Sequence, residues 1–182
     1  MNHDRKTVRG ILAPSLIAIT ALATTACSTT GKLEPVEYVD LERFMGDWHV
    51  IANIPTFIEK GAHNAIETYS INEDGSIDTV FTFRKGGFEG EKKRYNPRGF
   101  VRENTGNAVW GMQFIWPIKA DYRIVYLDED YRVTIIGRNK RDFVWLMARD
   151  PSLPANEYDD LVEMIGEMGY DTSELQRVPQ QW

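Results

Sequence analysis

Phe44-Met45-Gly46-Asp47-Trp48-His49-Val50-Ile51-Ala52-Asn53-Ile54-Pro55 is the stretch on which the fold turns. Just before it, Asp40 is placed to N-cap a short helical turn over residues 41–45. Gly46 stops that turn, and a β-rich run follows until Pro55 ends it. With Trp48 facing inward, strict alternation puts Val50, Ala52 and Ile54 on the same inner face, and His49, Ile51 and Asn53 on the other. The motif is a helical turn, a tight glycine, and a tryptophan at the root of a long strand.

Outward from this stretch, the length of 182 residues suits one domain with a sizeable core. Aromatic residues make up 12%, a supply that strands or the walls of a ligand cavity would use. The net charge of −6 gives no footprint for nucleic acid. Residues 3–9 form a basic leader, residues 11–23 an apolar run too short to span a membrane, and small residues then precede Cys27. Two readings follow: an ordinary secretory signal, or, preferred, a lipoprotein signal over residues 1–26. The segment resembles a bacterial lipobox, which implies lipidation of Cys27, and Ser28 resembles the residue found in lipoproteins sent to the outer membrane. Residues 27–37 are then a polar tether and 38–182 the folded domain. Cleavage removes Arg5, Lys6 and Arg9 against Asp4, taking the formal charge from −6 to −8. Cys27 is the only cysteine, so its acylation leaves no thiol for a disulfide or for catalysis.

Beyond Pro55, extended segments succeed one another without an intervening helix. Residues 64–71 and 76–85 flank Asn72-Glu73-Asp74-Gly75, a hairpin signal in which Asp-Gly supplies positive φ. Residues 91–103 are basic and interrupted by Pro97; 108–116 are aromatic; then come 121–127, 133–137 and 143–149. Eight short strands joined by turns read as an all-β, up-and-down antiparallel barrel or a sandwich. Only afterwards does a helical pattern appear, over residues 156–168, with Tyr158, Leu161, Val162 and Ile165 on one face. Residues 175–179 form a last extended piece.

Three motifs now fall in order: Gly46-Asp47-Trp48, the acidic-tyrosine turn Leu127-Asp128-Glu129-Asp130-Tyr131, and Trp145-Leu146-Met147-Ala148-Arg149. Together they resemble the signatures of the lipocalin family, and with the lipobox they resemble its bacterial outer-membrane lipoproteins. The resemblance implies an eight-stranded barrel with a C-terminal α-helix packed outside. In such a barrel the start of the first strand, the sixth-to-seventh turn and the end of the eighth strand meet at the closed end. Arg149 would lie over the Trp48 indole and cap carbonyls of the opening turn, so Gly46, Trp48, Asp128 and Arg149 form the barrel floor.

An eight-stranded barrel is just wide enough for side chains or one small ligand. Alternation back from Arg149 sends Phe143, Trp145 and Met147 inward. Phe81, Phe83, Trp110, Met112, Phe114, Tyr122, Ile124 and Tyr126 join Ile54 as candidate lining, although Pro117 leaves the sidedness of the fifth and sixth strands open. The basic stretch from Lys92 to Arg102 reads either as a solvated face or as a surface for an anionic headgroup, for which Arg84 and Arg98 are the candidate contacts. The resemblance implies fatty acids, lysophospholipids or related amphiphiles as ligands, carried, stored or scavenged by a protein anchored in the outer membrane and facing the periplasm. A haem or pigment carrier, or an envelope interaction protein with a filled barrel, are the alternatives. Association into a homodimer is left open. An enzyme is disfavoured: His49 and His63 have no metal-ligand spacing, and neither a nucleophile elbow nor a phosphate loop is present. No cofactor is expected.

Overall fold

The computed structural model describes Met1 and residues 31–182. The expected signal segment, Cys27 and the first part of the tether lie outside the described residues. Asp40 caps α1 (Leu41–Phe44), its carboxylate accepting from the N–H groups of Glu42 and Arg43. Strands follow as β1 (Gly46–Ile54), β2 (Ala62–Ile71), β3 (Ile77–Lys85), β4 (Lys92–Tyr95) and β5 (Arg98–Val101). They continue as β6 (Val109–Ile115), β7 (Ile118–Leu127), β8 (Val133–Gly137) and β9 (Val144–Ala148). The helix α2 (Ala155–Glu167) and a short β10 (Gln176–Arg177) complete the chain.

All neighbouring strands pair antiparallel, and β9 returns to pair with β1 from His49↔Ala148 to Ile54↔Val144, closing the sheet on itself. The β4 and β5 segments both pair with β3 and are parted at Asn96-Pro97, where proline cannot extend the ladder. Counted as one interrupted strand, they make this an eight-stranded barrel. At the 72–76 hairpin, Gly75 takes φ +76°, and its N–H donates to the Asn72 carbonyl (2.9 Å). The C-terminal β10 lies against β1, pairing Ala52 with Arg177.

Two apolar layers sit on either side of the sheet. Inside are Phe44, Trp48, Val50, Tyr69, Ile77, Phe81 and their neighbours. Outside, Ile51, Ile54, Val144 and Leu146 pack against Tyr158, Leu161 and Ile165 of α2. This division corrects the alternation expected in β1. Val50 pairs with Met147, yet Ala52 pairs with Leu146, so Ile51 is an extra, bulged residue. The bulge reverses sidedness beyond it. Ala52 and Ile54 therefore face the helix, and buried Asn53, opposite Trp145, takes the inner face.

The same event recurs in β7. Ile124 pairs with Ile136 and Tyr126 with Ile135, leaving Val125 bulged. Ile124 stays inside while Tyr126 joins the outer layer, contrary to the expected common face. Phe143 is also outside. It precedes β9, follows Arg141 at φ +54°, and packs beneath the Arg138 guanidinium (5.2 Å to the ring centroid).

Candidate functional site

The closed end is built first by α1 and the root of β1. Gly46 adopts φ +93°, and a Cβ there would meet the Arg149 guanidinium at 3.4 Å, so glycine serves both the turn and the close approach. Arg149 lies over the Trp48 ring at 3.8 Å from its centroid. It donates to the carbonyls of Arg43 (2.9 Å), Phe44 (3.1 Å) and Met45 (2.9 Å), acceptors at the end of α1 that the helix itself leaves open, and to that of Asp47 (2.7 Å) in β1. The Trp48 indole N–H donates to the Phe44 carbonyl (2.8 Å). Asp128 closes the neighbouring turn by accepting from the N–H groups of Arg132 (2.6 Å) and Val133 (2.8 Å). Gly46, Trp48 and Arg149 thus meet at the floor, and Asp128 holds the turn beside them.

Above the floor an aromatic plug fills the lower lumen. Phe44 packs on Trp48 (5.0 Å between centroids) and edge-on to Trp110 (5.6 Å), and Trp110 stacks on Tyr122 (5.0 Å). Trp110 is therefore inward but belongs to the plug, not to a ligand wall, and its indole N–H donates to the Asn107 carbonyl.

Above the plug the lumen is hollow: a cavity of about 400 Å³ opens at the other end of the barrel. That volume falls within the ~300–1,000 Å³ range of small-molecule sites. The filled-barrel alternative does not describe this lumen. Among the expected lining residues, Phe81, Met112, Phe114, Tyr122 and Trp145 reach the cavity wall. Phe83, Ile124 and Met147 are inward and buried but stand behind that wall. Ile54, Tyr126 and Phe143 lie outside the barrel. The two candidate headgroup arginines are also outside it. Arg84 is exposed and donates to the Gly90 carbonyl, while Arg98 pairs with Asp74 (3.5 Å) in the closed-end hairpin.

Polar groups overlooked in the sequence also face the cavity. Glu67 shares the inner parity of Tyr69, opposite Phe81. It accepts a hydrogen bond from the Tyr69 hydroxyl, which in turn contacts the Tyr122 hydroxyl at 2.9 Å. Burial is the main cause that pushes the Glu67 carboxyl up to about 7; the Tyr69 hydrogen bond opposes this and the Glu59 charge adds to it. Burial likewise drives the Tyr69 and Tyr122 hydroxyls well above the ordinary phenol range. Nearer the mouth, buried Glu59 accepts from the Trp145 indole (2.7 Å) and from the Thr56 N–H (2.8 Å). Arg138, in the loop after β8, lines the same wall; it sits 3.4 Å from Asp142, and its Nε is buried without a hydrogen-bond partner among the described residues. Glu67 was legible from its parity with Tyr69. Arg138 was not, because a loop residue has no alternation to place it.

Comparison with known proteins agrees with this geometry. A family model described as a lipocalin-like domain matches residues 39–180. Temperature-induced lipocalin-1 of Arabidopsis thaliana is 31% identical over 161 residues, covering 82% of this chain and 83% of that protein. The outer membrane lipoprotein Blc of Escherichia coli K12 is 26% identical over 178 residues, covering 90% and 94%. Among solved structures, insecticyanin from the tobacco hornworm Manduca sexta superposes with a TM-score of 0.64 at 16% identity, covering 81% and 84%. The chain belongs to the lipocalin family.

Proposed function

We propose that this protein holds one single-chain amphiphile, a fatty acid or a lysophospholipid, in its barrel for transport, storage or scavenging in the cell envelope. In the same reading, an acylated Cys27 tethers it to the outer membrane with the domain in the periplasm. The observation that carries the ligand reading is the open cavity above the aromatic plug, walled by Phe81, Met112, Phe114 and Trp145. An acyl chain entering it would leave water at ~0.8 kcal/mol per methylene. The Arg138 Nε, without a partner among the described residues, offers a donor to a carboxylate or phosphate headgroup on the wall. The likeness to an outer membrane lipoprotein over most of its length supports the tether and the location. The test is mass spectrometry of lipid released by organic extraction from untagged mature protein, with competition by a labelled fatty acid. One acyl lipid per chain, displaced by the label and held less tightly by Arg138→Gln, is expected. A chain that neither carries lipid nor takes up the label refutes the reading.

A further inference from the structure

The open end carries an apolar rim. Phe114, Ile115, Trp116 and Ile118, at the tip of the β6–β7 hairpin, are 53%, 71%, 82% and 68% exposed, and Phe57 in the β1–β2 loop is 84% exposed. So many large apolar side chains gathered at one end mark an interaction surface. Charge is divided along the barrel axis in the same sense. The open-end segments 55–62, 84–94, 114–121 and 138–142 hold ten basic and five acidic side chains, whereas the closed-end segments 40–47, 72–76, 102–107, 128–132 and 149–150 hold four basic and ten acidic.

Residues 31–33 lie at the same open end. The Gly31 carbonyl accepts from Arg141 (3.0 Å) and the Leu33 N–H donates to Asn139 (3.0 Å), both in the β8–β9 loop. From there the chain reaches the closed end only at Val39, whose N–H donates to the Gly106 carbonyl (2.8 Å). Cys27 is four residues before Gly31, a reach of at most about 14 Å. The hairpin tip stands a similar distance above Gly31. The Asp121 carboxylate accepts from the Asn139 N–H (2.9 Å), and the four residues from Asp121 to Pro117 add about 13 Å of strand. The closed end is six residues away from Leu33 in the other direction, about 20 Å, beyond the tether.

We infer that the barrel stands mouth-down on the phospholipid leaflet that holds its anchor, with the 114–118 hairpin tip and Phe57 inserted and the basic rim against anionic headgroups. The inference rests on acylation of Cys27. Amphiphile would then pass between leaflet and cavity without crossing water. Trp116 sits where an indole favours the membrane interface, and juxtamembrane basic side chains favour anionic lipid.

The test uses the full acylated chain in vesicles of phosphatidylethanolamine and phosphatidylglycerol. With Cys27 modified, Ile115→Cys and Glu73→Cys each provide a single thiol for a nitroxide at opposite ends. The label at 115 should be more accessible to oxygen than to an aqueous nickel chelate, and the label at 73 the reverse. Trp116→Glu with Ile118→Glu should return the 115 label to water while leaving fatty-acid binding intact. A 115 label in water on a chain shown by mass to be acylated overturns the orientation and leaves the anchor standing. Label-to-label coupling at 115 would instead reveal a second copy on the rim, and also overturns it. An unmodified Cys27 removes the tether on which the inference rests, and ligand uptake, measured separately, then judges the cavity.

Discussion

Glu67→Gln is the perturbation that probes the cavity most sharply. An exposed glutamate loses its proton near 4.5, whereas the Glu67 carboxyl, facing the lumen beside Tyr69 and Tyr122 with Glu59 nearby, holds it to about 7. Between those values the folded chain binds a proton that the unfolded chain has released, so stability falls as pH rises. At 1.36 kcal/mol per pH unit, the loss across the interval is about 3 kcal/mol, complete above about pH 7 and absent below about 4.5. An amide at this position is neutral throughout and can still pair with Tyr69. Urea unfolding followed over that pH range should therefore show the wild type losing ground to the variant as pH rises. Ligand binding should follow the same sign. An acyl chain displaces water from around Glu67 and favours its neutral form, so affinity should fall by up to about tenfold per pH unit above about 7 and flatten in the variant. Parallel stability profiles for the two proteins would refute the buried, protonated carboxyl.

Two further outcomes concern the frame around the cavity. Trp48→Ala and Arg149→Ala should each destabilise the barrel. The arginine change should cost about 2–4 kcal/mol because it orphans carbonyls of α1, with a coupling of about 0.5–2 kcal/mol in the double-mutant cycle; strictly additive losses would contradict the stacked floor. Ile54→Ala should lower stability by about 2–5 kcal/mol through lost packing on α2 without changing lipid affinity, whereas Met112→Trp, projecting into the lumen, should block uptake in a protein that still folds.

What the sequence conveyed and what it withheld divide along physical lines. Turns carry their own chemistry. Asp74-Gly75 announced a hairpin, which is present, and Pro97 a bulge or edge-like irregularity, where the structure instead divides the strand into two segments. The floor was legible because Gly46, Trp48, Asp128 and Arg149 each have a specific job at one end of the barrel. Sidedness was legible only up to the next bulge. Trp145 and Phe81 follow simple alternation to the cavity wall, but Ile51 and Val125 each add one residue that alternation cannot register, and this turned Ile54 and Tyr126 outward. Phe143 was misplaced for a related reason: it lies before its strand begins. The headgroup arginines were sought where basic residues are dense, yet density along a strand says nothing of its face. Arg98 precedes Gly99, whose missing Cβ would point at Ile77 and Trp110, so Arg98 must point away. Among the polar groups that do reach the cavity are Glu59 and Glu67, carboxylates ordinarily read as solvated, and Arg138, in a loop.

An acyl chain in the lumen would lie beside Trp145, where a brominated-chain lysophospholipid reports it, since bromine quenches indole fluorescence only on close approach. Saturable quenching at one ligand per barrel, reduced by Trp145→Phe to the smaller share left to Trp110 beneath the cavity and Trp116 at its rim, is the predicted result. Quenching that survives that substitution unchanged, or none at all, would place the acyl chain outside the barrel.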